Sequence, residues 1–184
     1  MKTLIIHPQD NSTTFLEVVY TNIENKTVIT GGVSKAELIQ LIEEHDRIMM
    51  MGHGSPWGLF AVGQFKGEGY SGYIIEDSLV ELLMTKKDNV YIWCNADQFV
   101  NRYGLTGFYS GMFISEVGEA TYCGLPGMSQ EVVDESNYGF VNIVSKYVNE
   151  QTENLYENVH KEYGILAEEN PVAFYNYNRL YKHI

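Results

Sequence analysis

Arg47-Ile-Met-Met-Met-Gly-His53-Gly54 and Asn89-Val-Tyr-Ile-Trp-Cys94 are the two stretches whose reading decides the fold. Each is a short, continuous apolar run, the pattern of a strand buried on both faces of a parallel sheet. Each stops on a residue that can do chemistry, an imidazole followed by glycine in one case and a thiol in the other. His53 and Cys94 lie 41 residues apart, room for the crossover connection that parallel neighbours need. Open α/β sheets carry out their reactions beyond the carboxyl ends of their strands. Two adjacent strands ending this way would set an imidazole and a thiol on one rim, as a cysteine nucleophile and its base require.

Working outward, Lys2 to His7 reads as a first buried strand, closed by Pro8 and the turn-prone segment that ends on Asp10-Asn-Ser-Thr13. Thr14 to Asn22 fits either a strand or a short helix. Thr27 to Thr30 is a second short strand, stopped by Gly31-Gly32. Ser34 with Glu37 makes a capping box for a helix whose buried stripe is Leu38, Leu41 and Ile42. Residues 55–73 read as a long loop or a small hairpin over the sheet edge, rich in Gly and aromatics. Asp77 or Ser78 caps a helix through Leu79, Leu82 and Leu83. Downstream, the spacing predicts a short helix over 98–102, a helix over 108–117 and a fifth strand over 120–125. Helices over 131–148 and 153–169 follow, then an aromatic, basic tail over 176–184 that docks on the body. The expectation is one α/β domain over 1–184: three-layer α/β/α, mainly parallel sheet, with a turn at Asn149-Glu150 that could set off a C-terminal helical cap over 150–184.

A length of 184 residues suits one domain with a sizeable core. The formal net charge of −12 repels nucleic acid and anionic membrane surfaces, so neither is expected as a partner. Two cysteines, Cys94 and Cys123, make no disulfide framework. The apolar part of Met1 to Pro8 is too short for a signal peptide, and no stretch approaches a membrane span, so the expected location is cytoplasmic. No His, Cys, Asp or Glu cluster has metal-ligand spacing, and the glycines between Gly63 and Gly72 have neither a Walker lysine nor a strand before and a helix after them. No metal and no cofactor is expected.

His-Gly at the end of one apolar strand and Cys at the end of the next resembles the caspase-like cysteine peptidases, and Gly52-His53-Gly54 looks most like their CHAT and bacterial members. Gly58-Leu-Phe60 resembles the segment that follows His-Gly in caspases, and Gly111 to Gly124 resembles the helix and next strand of a CHAT-type domain. The resemblance spans roughly residues 45 to 150. It implies a caspase-like fold and a cysteine endopeptidase acting on a peptide or protein substrate. It assigns Cys94 as nucleophile, His53 as the proton-handling partner, and the backbone amides of Gly54 and Cys94 as an oxyanion hole.

Asn95 and Asp97, just after the thiol, are candidates for the substrate pocket, Asp97 being equally suited to cap a helix. Trp57, with Phe60 and Tyr70, either walls the cleft or packs the loop down. His7 ends the first strand and so reaches the same edge. Cys123 reads as core. Trp93 stands where the caspase signature has a small residue, and no Gly follows Cys94. That departure motivates a second reading, a catalytically inactive caspase-like module that binds a peptide or protein partner. A third is a doubly wound domain that binds a small ligand.

Overall fold

Nine strands and seven α-helices are described in a computed structural model that covers every residue except 9, 64 and 66–69. The order is β1 (Thr3–Ile6), β2 (Lys26–Ile29), α1 (Lys35–Glu43), β3 (Arg47–Met51), β4 (Gly54–Ser55), β5 (Gly58–Phe60), β6 (Tyr73–Ile75) and α2 (Val80–Leu83). Then come β7 (Val90–Ile92), α3 (Ala96–Tyr103), β8 (Gly107–Ser110), α4 (Val117–Tyr122), α5 (Gln130–Tyr147), α6 (Thr152–Ala167), α7 (Pro171–Tyr177) and β9 (Leu180–His183). Thr14–Tyr20, open between strand and helix on sequence, is a 3₁₀ helix.

The main sheet runs β2-β1-β3-β7-β8-β9. Its first five strands are parallel, and β9 closes the edge antiparallel to β8. Side chains of successive strand residues point to opposite faces, and both faces are covered. Ile6, Met50, Tyr91 and Trp93 meet α1, α2 and α3 through Leu38, Ile42, Leu83 and Phe99. Ile5, Met49, Met51, Ile92 and Phe108 meet the 3₁₀ helix, α5 and α6 through Leu16, Val19, Phe140, Val144 and Val159. This two-sided burial is why the strands read as unbroken apolar runs, and it gives the three-layer α/β/α arrangement with a mostly parallel sheet. Residues of α6, α7 and β9 belong to that second core cluster.

The hairpin reading of 55–73 corresponds to a second sheet, β4-β5-β6, antiparallel throughout. Part of its connection lies outside the described residues. The Ser34 capping box is present, with the Glu37 amide donating to Ser34 Oγ and Glu37 Oε2 accepting from the Ser34 amide.

Two expectations are overturned. Residues 108–117 are not a helix: Gly107–Ser110 is strand β8, buried throughout and paired on both sides. Its outer partner is the tail, 70 and more residues downstream, and local spacing carries no trace of such a pairing. Residues 120–125 are not a fifth strand: Val117–Tyr122 is helix α4, and Cys123 caps its end. The Glu119 carboxylate accepts from the Ser115 and Glu116 amides and starts the helix, so capping overrides the β-like composition of Thr121-Tyr-Cys123. The tail does dock, as the end of α7 and strand β9. Smaller shifts fall at α2, a short helix from Val80 to Leu83 that neither Asp77 nor Ser78 caps with its side chain.

Candidate functional site

Three neighbouring parallel strands, β1, β3 and β7, end side by side. The register pairs Ile6 with Met50 and Met51 with Ile92, so the segments that follow leave the sheet at one rim. Asp10 and Ser12 follow β1, His53 follows β3, and Cys94 follows β7. Gly52 makes the exit of β3: its amide donates to the Ile92 carbonyl at 3.1 Å and its φ is +141°, backbone that a side-chain-bearing residue rarely adopts. Asn95, at φ +67°, makes the corresponding exit of β7 and leads directly into α3. His53 and Cys94 line one small cavity of about 20 Å³, with Thr13, Phe15, Phe113 and Ser115 among its other walls. That space is about one water molecule's worth, so the cleft is too narrow to take a peptide side chain as it stands.

Within it, thiol and imidazole are each engaged elsewhere. Cys94 Sγ donates to the Phe113 carbonyl at 3.4 Å and lies 3.9 Å from Glu119 Oε1. Burial pushes the thiol up to about 12, and the negative charge of Glu119 adds to the shift. The resting sulfur is therefore a neutral thiol, not an activated thiolate. Glu119 is held in place through its other oxygen, which accepts from Ser115 N, Ser115 Oγ and Glu116 N.

His53 Nε2 sits 2.7 Å from Ser12 Oγ and 3.0 Å from Asp10 Oδ2. Ser12 Oγ donates its own proton to Asp10 Oδ1 at 2.7 Å. Burial works to raise the Asp10 carboxyl, but hydrogen bonds from Ser12 and Thr13 and the charge of His53 hold it below its ordinary value. Neither Asp10 nor Ser12 emerged as functional from the sequence, where they registered only as turn formers.

Gly54 opens β4 and has no room for a side chain: a Cβ there would meet Trp93 Cδ1 at 2.2 Å and the Gly58 carbonyl oxygen at 2.7 Å. Trp93, unexpected before a candidate nucleophile, lies against this glycine and donates from Nε1 to the Ser55 carbonyl at 3.1 Å. Its ring is buried among Tyr91 and Phe99. The bulky residue is thus accommodated in the core by a residue that lacks a side chain.

The remaining candidates disperse. Trp57 is 60% exposed at the β4–β5 turn, with the Arg102 guanidinium 4.0 Å above its ring. Phe60 packs its ring on Tyr73 within the small sheet, and Tyr70 donates to the Val33 carbonyl, which ties that segment to the body. Asp97 lies in the first turn of α3, where burial raises its carboxyl and Oδ1 is enclosed without a hydrogen-bond partner among the described residues. None of these lines the cavity shared by Cys94 and His53. His7 is fully buried, bonded through Nδ1 to Tyr20 Oη, and burial pulls it down to about 4. Cys123 is a half-buried free thiol at the end of α4.

Among the described residues no group of three His, Cys, Asp or Glu could hold a metal ion, and no helix is long and apolar enough to cross a membrane. Comparison with protein-family models, curated proteins and solved structures finds no match for this chain.

Proposed function

We propose that the protein is a caspase-like cysteine endopeptidase, with Cys94 as nucleophile and His53 as its base, held in a closed resting state. One observation carries the reading: adjacent parallel strands β3 and β7 deliver His53 and Cys94 to the walls of a single cavity. A peptide entering between the loops after β1 and β8 displaces Sγ from Phe113 and Glu119 and turns it toward the imidazole. His53 takes the thiol proton, and the thiolate attacks the scissile carbonyl. The amides of Gly54 and Cys94 stabilise the oxyanion, worth about 3 kcal/mol for one such donor. The imidazolium then protonates the leaving amine, and water, deprotonated by His53, hydrolyses the thioester. Lowering the thiol from about 12 toward neutrality requires several kcal/mol at about 1.4 per unit. Binding energy from peptide contacts remote from the scissile bond has to supply it.

Peptidyl acyloxymethyl ketones, varied at the residue beside the reactive group, test this. Thioether formation at Cys94 with release of the carboxylate, absent in Cys94→Ala and much slower in His53→Ala, is the expected result. The second reading, a non-catalytic module that binds a peptide or protein partner, is favoured by the narrow cavity and the protonated thiol. Peptide binding without any covalent adduct would favour it over the enzyme.

A further inference from the structure

We infer that Asp10 is a positioning residue for His53, fixing the ring so that Nε2 carries the proton and Nδ1 is the free base. The inference rests on the Cys94–His53 reading for its purpose but on its own geometry for its content. The Asp10 loop is a local turn that orients one carboxylate: Oδ1 accepts from Ser12 N at 3.0 Å, Ser12 Oγ at 2.7 Å, Thr13 N at 3.1 Å and Thr13 Oγ1 at 3.3 Å. With Oδ1 so occupied, Oδ2 is the oxygen presented to His53, at 3.0 Å.

The direction of each bond follows from proton counting. A hydroxyl has one proton, and that of Ser12 goes to Asp10. Ser12 can therefore only accept from His53, and the carboxylate can only accept as well. Both contacts meet the same ring atom, Nε2, so Nε2 must be the donor. In a neutral imidazole the other nitrogen is then a lone pair. Nδ1 has no hydrogen-bond partner among the described residues, and the ring lines the cavity shared with Cys94.

The same counting excludes Ser12 as a nucleophile activated by His53. An imidazole that activates a hydroxyl accepts its proton on one nitrogen while a carboxylate holds the other. Here serine and carboxylate share one nitrogen, and the serine proton points at the carboxylate. Asp10 thus acts as orienter, from a third strand end, of the ring that shares a cavity with Cys94.

The test pairs a spectroscopic signature with a rate. In protein labelled with ¹⁵N-histidine, at a pH where the ring holds one proton, His53 should show Nε2 protonated and Nδ1 unprotonated. Its Nε2 proton should be downfield and slow to exchange, as expected of a donor to a carboxylate. Asp10→Ala should abolish that slow-exchanging resonance, Asp10→Glu restore it in part, and Ser12→Ala, the milder variant should Asp10→Ala fold poorly, keep it. The rate of Cys94 labelling by the peptidyl ketone should fall about ten-fold or more in Asp10→Ala. A proton on Nδ1 in the unaltered protein, or a resonance that survives Asp10→Ala, overturns the inference. So does an unchanged labelling rate in Asp10→Ala when His53→Ala lowers it. If His53→Ala itself leaves labelling unchanged, the peptidase reading fails, and the resonance alone decides whether Asp10 holds the ring.

Discussion

Removing the charge of Glu119 should wake the thiol of Cys94. The carboxylate oxygen lies 3.9 Å from Sγ. Two unit charges at that distance repel by roughly 1 kcal/mol in water and about 4 kcal/mol at an effective dielectric near 20. Glu119→Gln should therefore lower the thiol pKa by about one to three units. A glutamine carbonyl can still accept from the Ser115 and Glu116 amides, so the start of α4 survives. Burial, the larger cause of the shift, also survives, so the variant should remain less reactive than a free cysteine. With the thiol pushed up to about 12, the thiolate fraction at pH 8 is about a thousand-fold below that of an unperturbed cysteine near 8.5. The assay is the iodoacetamide alkylation rate of Cys94 against pH in a Cys123→Ser background. The undirected reagent should react about a thousand-fold slower than free cysteine, and Glu119→Gln should gain about ten-fold or more. Alkylation at pH 8 as fast as free cysteine, or a Glu119→Gln rate within two-fold of the parent, would refute this reasoning.

His7 has an ordinary value of 6.5 and is pulled down to about 4 by burial. Between those values the unfolded chain binds a proton that the folded chain refuses, so stability falls as pH drops from about 6.5 to about 4, by about 3 kcal/mol in total. Urea unfolding across that range should show the loss, and His7→Gln should flatten it. Gly54→Ala drives a Cβ into Trp93 and the Gly58 carbonyl and should cost about 1–3 kcal/mol by the same assay. Arg47 is fully buried, its Nη1 donating to the Val148 carbonyl at 2.6 Å just past α5. Arg47→Ala should cost about 3–5 kcal/mol through a cavity and an unpartnered carbonyl, and Arg47→Met, which refills the space, should recover part of that in the denaturation midpoint.

The α/β class and the parallel core were legible because β1, β3 and β7 are buried on both faces and their sequences show it as unbroken apolar runs. The long helices α5 and α6 were legible as helices over 131–148 and 153–169, close to the observed Gln130–Tyr147 and Thr152–Ala167. Strand β8 was not, because its identity depends on β9 at the far end of the chain. Helix α4 was not, because one glutamate bonded to two amides outweighs the propensities of the residues after it. At the site, that His53 and Cys94 come to one rim of the sheet followed from two strand ends and their spacing. The Asp10 and Ser12 contacts to His53 did not, since a turn former and an orienting carboxylate have the same sequence signature. One weak signal was available: Asp10 stands just past the end of a buried strand, where side chains reach the reactive rim. Nor could Sγ's partners be foreseen, because Phe113 lies in a stretch expected to be helical and Glu119 belongs to the unforeseen helix α4.

The central claim, that a thiol and an imidazole at neighbouring strand ends cleave peptide bonds, is met most directly by incubating the protein with a diverse peptide mixture and reading new termini by mass spectrometry. The account predicts a recurring cleavage pattern that vanishes in Cys94→Ala and in His53→Ala, both folded. A pattern that persists in Cys94→Ala, or no new termini at all while peptides bind, would contradict it.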